Sequence, residues 1–219
     1  MDAAIESLRP ALRGAIARLA LDVPDAQVDA LLAYLALLQR WNTTYNLTSV
    51  REPSQMLTQH LADCLAVIGP LRRERGSSPC RLLDVGSGGG LPGVVIAILN
   101  PQIEVRCVDT VGKKAAFVQQ VAGELRLRNL RAEHARVEQL KSRGAFDVVT
   151  SRAFASLADF VGLTRARLID GGVWMAMKGK PPSDEIARLP ADVDVFHVEQ
   201  LTVPGLDAER CIVWMRPKR

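Results

Sequence analysis

The chain has 219 residues, 48% hydrophobic and 24% charged, with a net charge of +4 at pH 7. Those proportions suit one large or two small globular domains and exclude a disordered, collagen-like or charge-tract polymer. Its longest apolar runs, such as Leu31 to Leu38 and Gly93 to Leu99, are far shorter than the ~20 residues of a membrane span. Asp2, Glu6, Arg9, Arg13 and Arg18 interrupt the amino-terminal stretch, so no secretory signal is read there and a cytoplasmic location is expected.

Cys64, Cys80, Cys107 and Cys211 form no C-x-x-C pair, so they are expected to be reduced, buried thiols, and no bound metal is expected. The basic excess favours an anionic partner such as nucleic acid. Of 28 basic residues 22 are Arg, whose planar fork suits phosphates and bases. Biased codon usage explains an Ala- and Arg-rich chain equally well.

In chain order, Ile5, Leu8, Leu12, Ile16 and Leu19 recur at helical spacing, and Pro24 closes that segment. A second helix is predicted from about Asp25, with Val28, Leu31, Leu32, Leu35 and Leu38 on its inner stripe, and a third from about Pro53 to Ile68. Trp41 to Val50, rich in Asn, Thr and Ser, reads as a loop between them. From Arg81 the pattern changes to βαβ units. Strands are predicted at Arg81 to Val85, Ile103 to Asp109, Leu130 to Glu133, Phe146 to Ser151 and Val173 to Met177. Helices are predicted near Pro92 to Leu99, Gly112 to Leu127 and Leu157 to Leu168. Asp192 to Leu201 and Arg210 to Arg216 read as an antiparallel pair at a sheet edge. Gly76-Ser77-Ser78-Pro79 divides a helical cap, 1–75, from an α/β body, 76–219, the two forming one compact unit.

The segment Leu82-Leu83-Asp84-Val85-Gly86-Ser87-Gly88-Gly89-Gly90-Leu91-Pro92-Gly93 places a glycine-rich turn between a buried strand and a helix. Such a turn lets a ligand approach the backbone. Asp109 lies 23 positions after Gly86, near the offset of the acidic residue that binds ribose hydroxyls. This supports an adenosine-containing ligand without choosing between NAD and S-adenosylmethionine. Asp84, inside the strand, suits a ligand carrying a cationic amino group and would repel a pyrophosphate. No Gly-Lys-Ser/Thr follows, which excludes a P-loop.

Leu83-Asp84-Val85-Gly86-Ser87-Gly88-Gly89-Gly90 resembles the first motif of class I S-adenosylmethionine-dependent methyltransferases. Further segments narrow the likeness: Asn46-Leu47-Thr48-Ser49-Val50-Arg51, Gln59-His60-Leu61-Ala62-Asp63, Gly90-Leu91-Pro92-Gly93, Thr150-Ser151-Arg152-Ala153-Phe154-Ala155 and Met177-Lys178-Gly179. Together they resemble the RsmG (GidB) family of 16S rRNA guanine-N7 methyltransferases. The resemblance implies an α/β, Rossmann-like class I methyltransferase fold with an amino-terminal helical cap and an antiparallel carboxyl-terminal strand pair. It implies S-adenosylmethionine as cofactor, and 16S rRNA or a small-subunit assembly intermediate as partner, with guanine 527 of the 530 loop as target. The chain is expected to act as a monomer, with no membrane partner.

Gly86, Gly88, Leu91, Asp109, Val137, Glu138 and Arg152 are the expected cofactor contacts. The contacts of Leu91, Val137, Glu138 and Arg152 are what the resemblance implies, and Glu138 by itself reads as a solvated residue. Arg152 is the one catalytic candidate, and no general base is expected, because guanine N7 has a free lone pair. Asn46, His60, Lys113, Lys114 and Lys178 are the expected rRNA contacts. Lys113 and Lys114 open a helix whose end is already positive, which a phosphate explains and ordinary solvation explains equally. His60 on an apolar stripe also reads as a satisfied core residue. Trp41, Tyr45 and Phe154 are candidates to stack on an extruded base, whereas Trp174 and Trp214 belong to the core. Two alternatives stay open: an NAD(P)-dependent oxidoreductase, although neither Tyr34 nor Tyr45 has the Lys four residues on that hydride chemistry needs, and an RNA-binding relative without catalysis.

Overall fold

Continuous apolar runs make strands buried on both faces, and alternating runs make strands open on one side. Both kinds occur in the computed structural model, which describes residues 3–76, 78–141, 143–154 and 156–218. Ser77 of the expected boundary, Ala155 of the Thr150 to Ala155 motif, and Met1 and Asp2 lie outside the described residues.

The strands are β1 (Cys80–Val85), β2 (Ile103–Asp109), β3 (Leu130–His134), β4 (Phe146–Arg152), β5 (Leu168–Lys178), β6 (Val193–Leu201) and β7 (Arg210–Pro217). They form one sheet in the order β3-β2-β1-β4-β5-β7-β6. The first five are mutually parallel, and β7 runs antiparallel to both β5 and β6. Every predicted strand is therefore present. β5 starts at Leu168 rather than Val173, because an irregular register opposite Phe146 to Val148 and a positive φ at Gly171 carry it through the glycine pair.

The helices before the sheet are α1 (Ala3–Glu6), α2 (Arg9–Arg18), α3 (Asp25–Tyr45), α4 (Pro53–Met56), α5 (Asp63–Leu65) and α6 (Ile68–Arg75). Those after β1 are α7 (Gly93–Leu99), α8 (Gly112–Glu124), α9 (Leu157–Thr164) and α10 (Ser183–Ile186). The expected single helix from Ile5 to Leu19 divides at Ser7 and Leu8, with Pro10 in the first turn of α2, the place where its missing N–H costs nothing. Between α4 and α5 the chain makes a π-helical turn, Leu57–Ala62.

The expected loop from Trp41 is half helix. The Trp41 ring lies 4.9 Å from Tyr45 and 5.4 Å from Phe117, and this packing outweighs the turn preference of Asn42, Thr43 and Thr44. Buried Asn42 donates to Val50 O at 3.0 Å and accepts from Thr48 N at 2.8 Å, so it folds the following loop back onto α3.

Leu82, Val105, Cys107, Val148, Met175 and Trp214 on one sheet face share a core with α2, α3 and α7. Every residue of α7 is buried, as a helix apolar all round must be. The other face carries Leu83, Val85, Val149 and Trp174 beneath α9. Trp174 and Trp214 are in the core as expected, and all four cysteines are free and buried. No described helix is long and apolar enough to cross a membrane, and no metal-holding cluster occurs among the described residues.

Candidate functional site

The sheet order reverses at β1 and β4, and open α/β sheets bind ligands beyond the carboxyl ends of their strands at such a point. Gly86 N donates to Val108 O at 2.8 Å, and Ser151 Oγ donates to Val85 O at 2.8 Å, which brings the loops after β1, β2 and β4 together. Ala135 N donates to Asp109 O at 3.1 Å and adds the loop after β3. The carboxyl ends of β1, β2, β3 and β4 thus lie side by side.

Three groups hold the glycine loop. Asp109 Oδ2 accepts from Gly88 N and Oδ1 from Val111 N, both at 2.9 Å. Tyr34 of α3 donates its hydroxyl to Gly89 O at 2.6 Å. Asp84 Oδ2 accepts from Gly93 N at 2.8 Å. Gly86 and Gly88 have φ of +67° and +57°, and a Cβ on either would point into open space. Those two positions leave bare backbone with open space beside it. Leu91 and Val137 are buried in the cores on opposite faces of the sheet, and Glu138 is exposed, with its carbonyl taken by Arg167 Nη2 at 3.3 Å.

Asp84 departs from expectation. It has no exposed surface, so its carboxylate cannot meet a ligand's amino group and serves instead to fasten the start of α7. Its Oδ1 is buried without a partner among the described residues, and burial raises its pKa to about 7. Asp109 keeps its place at the end of β2, with lone pairs left on oxygens that each accept one backbone N–H.

One residue beyond Ser151, Arg152 opens a second region, a cavity of about 450 Å³ between the helical segment and the ends of β4, β5 and β7. His60, Asp63, Arg152, Lys178 and Arg210 line it. Asp63, whose side chain is 3% exposed, is 3.3 Å from Arg152 Nη1 and 2.9 Å from Arg210 Nε. Arg152 Nη1 also donates to Gln59 O at 3.1 Å and approaches His60 Nδ1 at 3.5 Å. With Nδ1 facing a donor, Nε2 holds the imidazole proton and donates to Thr48 Oγ1 at 2.8 Å. Burial, and next the Arg152 charge, lower the His60 pKa to about 4, so its ring is neutral.

The expected rRNA contacts thus separate into two kinds. Lys178 is tied to Glu185 at 2.8 and 3.0 Å, and His60 is buried, so neither offers a free charge. Asn46, the left-handed cap of α3, is exposed and accepts from Arg51 at 3.3 Å. Lys113 is exposed and Lys114 half-buried at the start of α8. Phe154 packs 5.5 Å from Phe160 and Trp41 packs on Phe117, so both rings are engaged inside, while Tyr45 is 40% exposed.

Tyr34, Asp63 and Arg210 were not among the sequence candidates. Tyr34 interrupts an apolar helix stripe, and a buried phenol needs an acceptor. Asp63 lies among apolar neighbours, which signals a paired buried charge. Nothing local marks Arg210, 147 positions away.

Residues 27–213 match the family described as rRNA small subunit methyltransferase G. The ribosomal RNA small subunit methyltransferase G of Leptothrix cholodnii is 68% identical over 194 residues, 89% of this chain and 88% of its own. That of Acidovorax ebreus is 62% identical over 219 residues, 96% of each chain. Among solved structures, a SAM dependent methyltransferase from Aquifex aeolicus has a TM-score of 0.55 at 14% identity, covering 74% of this chain and 92% of its own. The 1,6-didemethyltoxoflavin-N1-methyltransferase of Burkholderia thailandensis, with S-adenosylhomocysteine bound, has a TM-score of 0.56 at 17% identity, covering 85% and 90%. At those identities the solved structures establish the class I methyltransferase fold, and the dinucleotide alternative gains nothing from them. The relatives extend over the helical segment, the glycine loop and the strand pair alike, and on that extent the chain belongs to the rRNA small subunit methyltransferase G family.

Proposed function

We propose that this chain transfers a methyl group from S-adenosylmethionine to N7 of a guanine in 16S rRNA, at position 527 in the 530 loop, as its family does. The observation that carries the reading is the bare backbone of Gly86 and Gly88, held open beside Asp109, with the preceding Val85 bonded to Ser151, the neighbour of Arg152 in the adjoining cavity. In this reading Gly86, Gly88, Leu91, Asp109, Val137 and Glu138 hold the cofactor, and Arg152 stands between it and the guanine. Asn46, Lys113 and Lys114 meet rRNA at the rim, and His60 and Lys178 shape the wall of the acceptor cavity. The chain works as a monomer on 16S rRNA or on a small-subunit assembly intermediate.

S-adenosylmethionine, when bound, supplies an electrophilic sulfonium methyl group. Guanine N7 attacks with a lone pair it already has, so no side chain needs to remove a proton. Neutral His60, committed to Thr48, adds neither a base nor a charge that would oppose the positive ring being formed. What the protein contributes is alignment, which in favourable cases supplies roughly 7–11 kcal/mol. An arginine forked onto both O6 and N7 would cover the reacting atom. Arg152 is restrained through Nη1 by α5 and the π-helical turn, which leaves its other nitrogens for O6 or a phosphate.

The test is methyl transfer from radiolabelled S-adenosylmethionine to 16S rRNA, with mass spectrometry locating the product. Label in 7-methylguanine at position 527 is expected. Label elsewhere, or none from protein that binds the cofactor by calorimetry, would overturn the reading.

A further inference from the structure

Parallel sheets occur almost only with both faces covered, yet one quadrant of this sheet is open. The connection from β3 to β4 holds no α-helix among the described residues, only the short 3-10 turn Val137–Gln139. Val137 and Leu140 cover the upper part of the face above it. The lower parts of β1, β2 and β3 therefore meet solvent, and their burial alternates accordingly.

That open quadrant is basic. Arg81, Arg128 and Arg131 are exposed, and their side chains have no partner among the described residues. With Arg106, Gln102 and Phe146 they line a cavity of about 450 Å³. Arg106 lies opposite Arg131 in register, reaches Glu133 at 3.7 Å and stands 5.5 Å above the Phe146 ring. The carboxylates nearby are Glu104, which lines the cavity opposite Arg81 in register, Glu133, and Asp147, which accepts from Arg81 N at 2.7 Å and is paired with Arg75, so four guanidiniums face three acids, one of them already paired outside the row. Strands at ~4.8 Å spacing set these side chains in a row ~10 Å across. From Arg81 to Gly86 the sheet rises by about 17 Å, at ~3.3 Å per residue. The row is therefore clear of the reacting guanine but within reach of the same folded RNA.

We propose that this uncovered face is a second RNA-binding surface, which grips backbone phosphates of the substrate rRNA away from the methylated base. The proposal rests on the rRNA reading above. Cationic side chains left free on a flat polar surface suit phosphate oxygens, and no other solvated part of the sheet offers so many unpaired cations among the described residues.

The experiment compares the full chain with R81Q/R128Q/R131Q and with R81K/R128K/R131K. The Gln variant should raise KM for 16S rRNA about tenfold, leave kcat within twofold and leave S-adenosylmethionine affinity by calorimetry unchanged. The slope of log affinity for rRNA against log salt should fall in magnitude by about 2, since three phosphate contacts release their counterions. The Lys variant should recover most of the KM, because phosphate contact needs charge more than fork geometry. An unchanged KM and salt slope in the Gln variant, with wild-type activity intact, overturns this surface alone. Absence of rRNA binding by the unaltered protein overturns both readings together. Self-association of the wild type in sedimentation, lost in the Gln variant, assigns the face to a second copy and also overturns the proposal.

Discussion

Replacing Asp63 by Asn removes the charge that holds Arg152 and Arg210. At an effective dielectric constant of about 20, contacts of 2.9 and 3.3 Å each carry a gross attraction of about 5 kcal/mol. Burial of the carboxylate offsets most of that, since withdrawing an ion from water costs several kcal/mol. The cluster as a whole is therefore worth little. Removing the carboxylate alone is different, because two guanidiniums are left close together without a counter-charge, and breaking buried pairs in this way costs about 3–5 kcal/mol. The arginine side chains are 24% and 28% exposed, so water screens part of the loss and about 2 kcal/mol is expected. With a urea slope of about 2 kcal/mol per molar, the unfolding midpoint should fall by about 1 M. Arg152 also loses one of its anchors, so kcat at saturating rRNA should fall about tenfold or more while cofactor affinity changes by less than about threefold. A midpoint shift below about 0.3 M with kcat unchanged would refute the claim that this carboxylate organises the acceptor side.

Three other outcomes are expected. Gly86→Val should abolish S-adenosylmethionine binding in calorimetry, because a branched side chain enters the open space beside the backbone, with a fold cost of only about 1–3 kcal/mol from the positive φ; unchanged affinity would remove the loop from the site. K113A/K114A should weaken rRNA binding and flatten its salt dependence, and an unaltered slope would return both lysines to ordinary solvation. Two buried groups should act oppositely on the stability of cofactor-free protein. His60 stays neutral in the folded chain down to about pH 4 while the unfolded imidazole protonates near 6.5, so its contribution falls as pH drops through that window. Asp84 keeps its proton up to about pH 7 while the unfolded carboxyl ionises near 3.8, so its contribution falls as pH rises. Relative to wild type at each pH, urea midpoints of H60Q should therefore decline from pH 4 to 6.5, and those of D84N should climb from pH 4 to 7; profiles parallel to wild type would contradict both assignments.

The strands could be read from the sequence because most are short apolar or alternating runs that end at a turn, and Leu82 to Gly93 announces its own bend. Trp41 to Tyr45 could not, because local turn chemistry points one way and the ring of Phe117, on a helix 76 positions away, points the other. The loop's glycines were legible, but Tyr34 beneath them was not, since its partner is a backbone carbonyl 55 positions along. Asp84 was misread for a related reason: a carboxylate's place in a strand does not reveal which lid lies over it. The basic row on β1 to β3 was hidden as well, for the absence of a covering helix becomes visible only once the strands lie side by side.

The sheet order has a bearing on how the enzyme matures. Because β7 inserts between β5 and β6 yet follows both in sequence, a nascent chain that has emerged through Leu201 already holds the strands around the glycine loop. It lacks Arg210, the second guanidinium on Asp63, and the neighbour that β5 needs along its edge. At synthesis rates of about 5–20 residues per second, an interval exists in which the strands around the glycine loop can form before the Arg152 cavity is closed. The strand that completes the Arg152 cavity is therefore made after the glycine loop, although the two lie at neighbouring strand ends.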